Sequence, residues 1–324
     1  MTQGSLVISL DFELHWGVRD QRSVASYKRN LDGVRQAIPA MLASFERHRV
    51  HATFATVGML AFSNKRDLLA ALPTIRPMYQ DPNLDPYRVL SHIGDDEDED
   101  PYHYGLNLIR LIQDTPGMEI GSHTFSHYYW LEPGTSAVSL REDLLAAQSA
   151  FERLDIKATS LVFPRNQYDD EALAVVDSVG LRAYRGNLEH PFYLTQREAE
   201  ESHVKRLGRL TDAYLNLSGH NGAPRVSETQ ASRLVDVRAS RFLRPHSQKL
   251  RALEPLRLDR IKQSMTQCAK QGLNYHLWWH PHNFGADTEV NMRVLDLILD
   301  HFEVLRETFG MRSLTMSEAA CSSQ

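Results

Sequence analysis

The sequence predicts a parallel α/β barrel, because strand and helix patterns alternate along the chain and polar residues follow the strands. Leu6 to Leu10 is a short apolar run that ends at Asp11, which is typical of a buried strand with a polar tip. Residues 31–49 carry apolar side chains at helical spacing, and the segment HATFATV at 51–57 reads as a second strand. A chain that opens βαβ favours a parallel sheet wrapped by helices.

The same alternation continues through most of the chain. Helices are predicted over 104–114, 139–153, 169–179, 258–271 and 291–309, and strands over 118–121, 160–163, 181–184 and 274–279. Repeated βα units with polar strand ends indicate a barrel whose active site lies at the carboxyl ends of the strands. We expect one barrel domain over residues 1–324, with an inserted loop region and a C-terminal helical extension.

The inserted region covers residues 73–104. Five prolines interrupt it, and residues 95–100 read DDEDED. Such a segment predicts an exposed loop with solvated charges. A calcium-binding loop is the alternative, but the glycine and terminal glutamate spacing that it requires is missing.

Composition excludes several classes of function. The chain has 324 residues, 24% of them charged, and a net charge of −5, so it lacks the basic surplus of a nucleic-acid binder. One basic segment, Arg233 to Arg257, is interspersed with leucines and is predicted to be solvated or loop-forming.

Cys268 and Cys321 lie far apart, which argues against a disulfide scaffold and a thiolate metal site and fits a reducing compartment.

The amino-terminal residues show no signal-peptide pattern, and no run of 18 apolar residues occurs. We therefore expect a cytoplasmic protein without a transmembrane segment. That location would limit the protein to substrates inside the cell.

Two polar clusters suggest a metal site. In the extended chain, Asp11 and Glu13 lie on one side of the strand, with Phe12 turned to the other. A solvated strand end with a salt bridge is the alternative for this pair. His123 and His127 follow a predicted strand and are four residues apart, so both imidazoles can bind one metal. One carboxylate of the pair would complete a His₂-carboxylate set for a divalent cation.

A third cluster, FPRNQ, places Arg165 at a strand end, where a buried arginine requires a carboxylate partner. It could orient a catalytic aspartate and lower the pKa of that carboxyl, or it could form a structural ion pair.

A fourth cluster, LWWHPHNF, follows the predicted strand 274–279. Trp278 and Trp279 could form an apolar wall on which a sugar ring stacks. His280 is a candidate general acid. His282 is expected either behind the site, in support of its residues, or at the rim, where it could contact substrate, and not in a direct catalytic role.

The ordered set D-x-E, H-T-x-S-H, an arginine–proline strand end and L-W-W-H-P resembles the polysaccharide deacetylases, also called the NodB-homology or carbohydrate esterase family 4 group. The resemblance covers roughly residues 5–190 and 270–285. It implies a distorted (β/α)7 barrel, a divalent metal (commonly zinc) bound by one carboxylate and two histidines, an aspartate base and a histidine acid.

Under this resemblance, Asp11 matches the base, His123 and His127 the metal ligands, and His280 the acid, while Arg165 falls near the arginine that orients the base. The first motif is D-F-E instead of an adjacent aspartate pair, so Glu13 becomes the expected metal carboxylate. That departure leaves the roles of Asp11 and Glu13 open to exchange. Two further departures concern support of the base: the arginine follows the proline, and no aspartate of the family pattern is found over 181–187.

The activity that the resemblance implies is metal-dependent removal of an N-acyl group, acetyl or formyl, from an amino sugar. With a cytoplasmic location, the expected substrate is a nucleotide-linked or lipid-linked intermediate of surface polysaccharide biosynthesis. Two alternatives remain open: an amidohydrolase acting on a small non-sugar C–N bond such as a ureide, and a catalytically silent barrel that binds glycans.

Overall fold

The computed structural model describes residues 3–193, 202–224 and 234–321. The strands in these ranges are β1 (Ser5–Phe12), β2 (Ala52–Thr56), β3 (Met118–Ser122), β4 (Ser160–Leu161), β5 (Ala183–Tyr184), β6 (Val235–Asp236), β7 (Arg241–Phe242), β8 (Asn274–Trp279) and β9 (Arg312–Leu314). The helices are α1 (Val24–Arg47), α2 (Lys65–Ala70), α3 (Leu106–Gln113), α4 (Ala137–Glu152), α5 (Asp170–Ser178), α6 (His203–Asp212), α7 (Glu254–Gln271), α8 (Pro281–Gly285), α9 (Thr288–Phe309) and α10 (Met316–Cys321).

The strands form one curled parallel sheet in the order β6-β5-β4-β3-β2-β1-β8-β7, and β9 adds to β1. Within the described ranges no pairing joins β6 to β7, although only residues 237–240 separate them along the chain. The predicted distorted α/β barrel is therefore confirmed. The described ranges hold nine strands, whereas the resemblance implied seven. Five of the nine are only two or three residues long.

Strand β1 shows how the sequence sets the two faces of the sheet. Leu6, Ile8 and Leu10 pack in the main hydrophobic core beneath the helices, together with Phe12. The alternate residues point into the barrel, where Val7 belongs to a small apolar cluster and Asp11 reaches the upper end. Alternation of side chains along a strand thus delivers acidic groups to the barrel mouth while the neighbouring apolar groups stay buried.

Helix α1 packs against α8, the short helix that follows β8. The two approach most closely at Gly33 and Gly285, where a Cβ atom added to Gly33 would overlap the carbonyl group of Gly285. Side-chain-free backbone at this crossing lets α8 lie directly on α1. Because α8 begins after His280, this contact fixes the segment that carries two of the predicted site histidines.

The segment that follows α9 closes the lower end of the barrel. Strand β9 pairs with the first residues of β1, with Ser5 opposite Arg312. In α10, Met316 and Ala319 pack with Val7 in the apolar cluster inside the barrel. Helices α9 and α10 are the helical part of this C-terminal region; α9 packs on the barrel, and β9 and α10 contribute to the sheet and its interior.

The inserted region 73–104 is more ordered than predicted. Glu97 forms an ion pair with Arg35 on α1 at 2.7 Å, and Asp100 is buried, accepting from the Gly94 amide and contacting His103. The prediction of a solvated acidic run is wrong for these two residues, because each has a partner that compensates the loss of water.

The basic segment 233–257 is also less exposed than expected. Arg241 and Arg257 are both buried, paired with Asp212 and Glu254 respectively. Arg233 lies outside the described residues.

Both cysteines are free thiols, one buried and one exposed. Over the described ranges, no helix has the length and apolar character needed to cross a bilayer.

Candidate active site

The upper ends of β1, β3 and β8 converge on one polar site. Strand β1 ends at Asp11 and Phe12, and Glu13 follows at the start of a 3-10 turn. The segment after β3 supplies His123 and His127, and the end of β8 leads into His280. Carboxyl ends of parallel strands meet at the same edge of a sheet, which explains how distant positions in the sequence come together.

Glu13, His123 and His127 form a compact buried trio. Glu13 Oε2 lies 3.2 Å from His123 Nε2 and 3.0 Å from His127 Nε2, and each side chain is almost fully buried. One ligand atom from each residue lies within 4.8 Å of the others. The structure thus brings together the three residues predicted as metal ligands.

Hydrogen bonding fixes which nitrogen of His123 faces Glu13. His123 Nδ1 lies 2.8 Å from the Val162 carbonyl oxygen, which can only accept, so Nδ1 carries the proton. In the neutral ring, Nε2 then presents a lone pair toward the Glu13 carboxylate. Two acceptors facing each other at this distance fit a cation between them, and a second-sphere carbonyl of this kind commonly orients metal-binding histidines.

Burial favours the neutral form of His127, whereas the neighbouring histidines favour the ionised form of Glu13. Burial lowers the pKa of His127 to about 4, against the opposing effect of Glu13. For Glu13, burial raises the pKa, but the electrostatic effect of His280 and His127 and the contacts with the His123 and His127 rings hold it well below its usual value. A carboxylate beside neutral imidazoles is the donor set that Zn²⁺ prefers. The residues therefore fit a divalent metal.

Asp11 is held by an arginine that the sequence analysis did not select. Arg185, at the end of β5, donates from Nη1 to Oδ1 at 2.6 Å and from Nη2 to Oδ2 at 2.8 Å. Burial raises the pKa of Asp11, but the Arg185 guanidinium outweighs this effect and keeps the pKa below its usual value. Asp11 is thus an ionised carboxylate in a fixed orientation, which a bidentate arginine provides.

Arg185 is itself held from several sides. Its Nη1 donates to Ser9 Oγ at 3.0 Å, and its Nη2 donates to Asn166 Oδ1 at 2.9 Å. Ser9 Oγ also lies 2.8 Å from Nε2 of the buried His276. The guanidinium lies 4.0 Å from the centre of the Trp278 ring. These contacts leave the guanidinium little freedom to leave Asp11.

The expectation that Arg165 orients Asp11 is wrong. Arg165 Nη2 pairs with Asp20 instead, Nη1 lies 3.8 Å from Glu132, and the guanidinium stacks over Tyr129 at 4.1 Å. The backbone of Arg165 is left-handed, with φ 54°, which turns the side chain away from Asp11 toward a neighbouring cavity of 470 Å³. The structural ion pair, the alternative stated for this residue, is what the structure shows.

His280 lies between the two carboxylates and the solvent. Its Nε2 is 3.6 Å from Asp11 Oδ2 and 3.7 Å from Glu13 Oε1, and 24% of its side chain is exposed. On the other side of the ring, Nδ1 is 3.3 Å from the Asn283 amide nitrogen, and the Tyr27 hydroxyl donates to Asn283 Oδ1. His280 can therefore reach a substrate atom while the Asn283 amide holds the ring.

The two tryptophans point to opposite faces of β8. Trp278 is half-buried beside Arg185 and His280, so it can form part of the wall of the site. Trp279 is fully buried in the main core, stacked on Phe284. The prediction that Trp279 binds substrate is wrong, because adjacent residues of a strand face opposite ways.

His282 is buried behind Glu13, which is one of the two positions expected for it, and does not lie at the rim. Its Nδ1 is 3.8 Å from Glu13 Oε1, its ring packs edge-on against Tyr27, and burial lowers its pKa to about 3. A neutral histidine behind Glu13 supports the site and has little surface with which to contact substrate.

Arg185 could have been found by the argument that selected Arg165. It also follows a predicted strand, 181–184, within the sequence LRAYRGN. A charged residue directly after a buried strand is the signal.

Comparison with known proteins agrees with the fold. The family profile described as "Polysaccharide deacetylase" matches residues 32–184. Among curated proteins, no sequence match is found.

Solved structures resemble the chain at low sequence identity. A Mycobacterium smegmatis protein assigned as a polysaccharide deacetylase aligns with a TM-score of 0.57 at 12% identity, over 99% of this chain and 90% of that one. A Pseudomonas aeruginosa PAO1 protein assigned to the same group gives 0.57 at 10% identity, over 98% and 89%. A 4-alpha-glucanotransferase from Thermococcus litoralis gives 0.54 at 11% identity, over 99% of this chain and 40% of that one. At such low sequence identities, these structural similarities are evidence for the fold alone.

The curled parallel sheet, the profile match and the buried Glu13–His123–His127 trio beside Asp11 point to one family. By these features the chain is similar to the polysaccharide deacetylases.

Proposed function

We propose that the protein is a metal-dependent hydrolase that removes an acetyl or formyl group from the nitrogen of an amino sugar. The observation that carries this proposal is the side-by-side arrangement of two differently held carboxylates. Glu13 faces two imidazoles, whereas Asp11 faces a guanidinium. One carboxylate is suited to a cation and the other to a proton.

Glu13, His123 and His127 would hold the cation, with Zn²⁺ as our choice from the donor set. A bound Zn²⁺ lowers the pKa of water and polarises a carbonyl oxygen. Asp11, ionised and oriented by Arg185, accepts a proton from the water that adds to the amide carbon. His280 donates a proton to the nitrogen as the C–N bond breaks, so the products are a free amine and a carboxylate.

The acyl-bearing sugar would enter past Trp278 and His280, the exposed side of the site. An aromatic face suits the apolar side of a pyranose ring. We propose as substrate an amino sugar attached to a nucleotide or lipid carrier in the synthesis of a surface polysaccharide, in a cytoplasmic setting.

The test is incubation of zinc-loaded protein with N-acetyl and N-formyl amino sugars, free, nucleotide-linked, lipid-linked and as chitooligosaccharides. Mass spectrometry should record loss of one acyl group in at least one class, and the Asp11→Asn protein should leave that substrate intact. Ureides belong in the same panel, because hydrolysis of a ureide with every sugar untouched would favour the small-molecule amidohydrolase. Sugar binding without turnover of any compound would favour the silent glycan-binding barrel.

A further inference from the structure

The segment that carries both histidines, residues 123–127, has an unfavourable backbone. Thr124 has φ 63° and His127 has φ 57°, both left-handed values in residues that bear a Cβ atom. Each such residue is less stable in this conformation than in an ordinary one, because its Cβ atom crowds the backbone. We call residues 123–127 the ligand loop. Surrounding contacts must hold this loop, because its own preference is for another conformation.

The contacts that hold the middle of the ligand loop come from Asp143, on α4. Asp143 Oδ1 accepts from the Phe125 amide at 2.7 Å and from the Ser126 amide at 3.4 Å, and Oδ2 accepts from the Ser126 hydroxyl. These two residues lie between the two histidines, so one carboxylate fixes the backbone on which both imidazoles depend.

Asp143 is buried without a cationic partner. Its relative exposure is 0%, and within the described ranges it forms no ion pair with lysine, arginine or histidine. Burial raises its pKa to about 6, with the donors of the ligand loop acting in the opposite direction. Burying a carboxylate costs free energy because it loses its contacts with water. The hydrogen bonds from the loop amides and the Ser126 hydroxyl compensate part of that cost.

Two backbone hydrogen bonds also hold the ligand loop, but they do not replace the contacts of Asp143. The Gly58 amide donates to the Thr124 carbonyl at 2.9 Å, and the Met59 amide donates to the Phe125 carbonyl at 3.0 Å. These bonds use the carbonyl groups of the loop. The amides of Phe125 and Ser126 would lose their acceptor without Asp143.

We propose that Asp143 is a positioning residue that holds the ligand loop so that His123 and His127 face Glu13. This inference rests on the proposed metal site. Asp143 touches neither the cation position nor the reacting atoms, and it acts through the backbone between the two imidazoles.

The test compares Zn²⁺ affinity, measured by competition with a chromogenic chelator, in wild type, Asp143→Ala, Asp143→Asn and Glu142→Ala. We expect Asp143→Ala to weaken Zn²⁺ binding by roughly 10–100-fold, the usual effect of losing an outer-sphere partner. Asp143→Asn should stay within a few-fold of wild type, because its amide oxygen can still accept from both loop amides. Glu142→Ala, the neighbouring change on α4, should bind as wild type does.

Amide hydrogen exchange of the metal-free proteins gives a second readout. Exchange at Phe125 and Ser126 should be faster in Asp143→Ala, while the strands keep their protection. If Asp143→Ala proves unfolded, Ser126→Ala replaces it, with an expected several-fold loss of affinity.

Wild-type affinity for Zn²⁺ in the folded Asp143→Ala protein, or in Ser126→Ala where that replaces it, would overturn the inference. Failure of wild type itself to bind Zn²⁺ would instead overturn the proposed metal site, so the two failures are distinguishable.

Discussion

At the scale of single residues, Asp11 depends on one guanidinium. Burial acts to raise its pKa, and Arg185 supplies the largest opposing effect. In the proposed reaction Asp11 must be ionised, so activity is lost as the pH falls through its pKa. Without Arg185, burial would dominate and the pKa would rise.

We therefore expect Arg185→Gln to move the acidic limb of the kcat/KM–pH profile to higher pH and to lower the maximum. Arg165→Gln is the matched control, because Arg165 pairs with Asp20 and not with Asp11. The kcat/KM–pH profiles of both variants and of wild type are measured on one substrate, and the positions of their acidic limbs are compared. An acidic limb that stays in place in Arg185→Gln would show that the base is a different group.

The two carboxylates should differ when each is neutralised. Asp11→Asn should keep the metal and lose turnover by about 10²–10⁴-fold, the usual contribution of a general base. Glu13→Gln should weaken metal binding, because an amide replaces the charged oxygen that faces both imidazoles. Elemental analysis beside kcat separates the two effects. If the two phenotypes are exchanged, Asp11 is the ligand and Glu13 the base.

His280→Ala should retain the metal and lose most turnover on an ordinary amino sugar. The loss should shrink on an N-acyl aniline-type substrate, whose nitrogen departs without needing a strong proton donor. The measurement is kcat for the two leaving groups in wild type and variant. An equal loss on both would mean that His280 does not protonate the nitrogen, and the donor would then have to be sought elsewhere.

At the scale of elements, the contact between α1 and α8 is the place where a small change should have a large effect. Gly33→Ala would force its Cβ into the carbonyl group of Gly285. Overpacking of this kind costs typically 1–3 kcal/mol, occasionally more.

We expect Gly33→Ala to lower the free energy of unfolding by about 2 kcal/mol in urea titrations. Gln36→Ala, on the exposed face of the same helix, should change it by under about 0.5 kcal/mol. Equal stabilities for the two variants would mean that α8 shifts at little cost.

Which elements could be predicted depends on where their stability comes from. The long helices and β1, β2, β3 and β8 carry their own periodic patterns and are predicted within a few residues of their ends, except that α1 begins at Val24, seven residues before its predicted start at Leu31. Strands β6, β7 and β9 are two or three residues long, and only pairing with a neighbour makes them strands. No local pattern of hydrophobic residues encodes such pairing.

The candidate site was predictable to the same degree. Glu13, His123, His127 and His280 follow strands whose patterns are clear, and they converge as expected. Arg165 was assigned the wrong partner, because the sequence does not reveal the left-handed turn that redirects its side chain. Trp278 and Trp279 differ in the face of β8 on which their side chains lie. The pairing register of the strand decides which residue takes which face.

At the scale of the whole molecule, the proposed cation links strands that lie far apart in the sequence. A ligand that binds only the folded state stabilises it, by about 2.7 kcal/mol at a free concentration 100 times Kd. Zinc should therefore raise the melting temperature of wild type by several degrees.

Zinc should have no such effect on a His123→Ala/His127→Ala protein. Asp300→Ala is the control, because His48, Asp300 and Glu303 form a second, partly exposed group that could hold an ion. Calorimetry with and without chelator supplies the data. Should zinc stabilise wild type and the histidine variant alike, the ion binds at another place.

The pairing of β9 with β1 also has a kinetic consequence. Ser5 pairs with Arg312 and Asn274, so the strand that bears Asp11 and leads into Glu13 gains partners from segments about 270 to 310 residues away. Closing such distant contacts is slow, and the barrel mouth should take shape only after the rate-limiting barrier has been crossed. Interactions that form after that barrier slow unfolding without accelerating folding. In stopped-flow experiments, zinc should thus prolong the lifetime of the native barrel and leave its refolding rate unchanged.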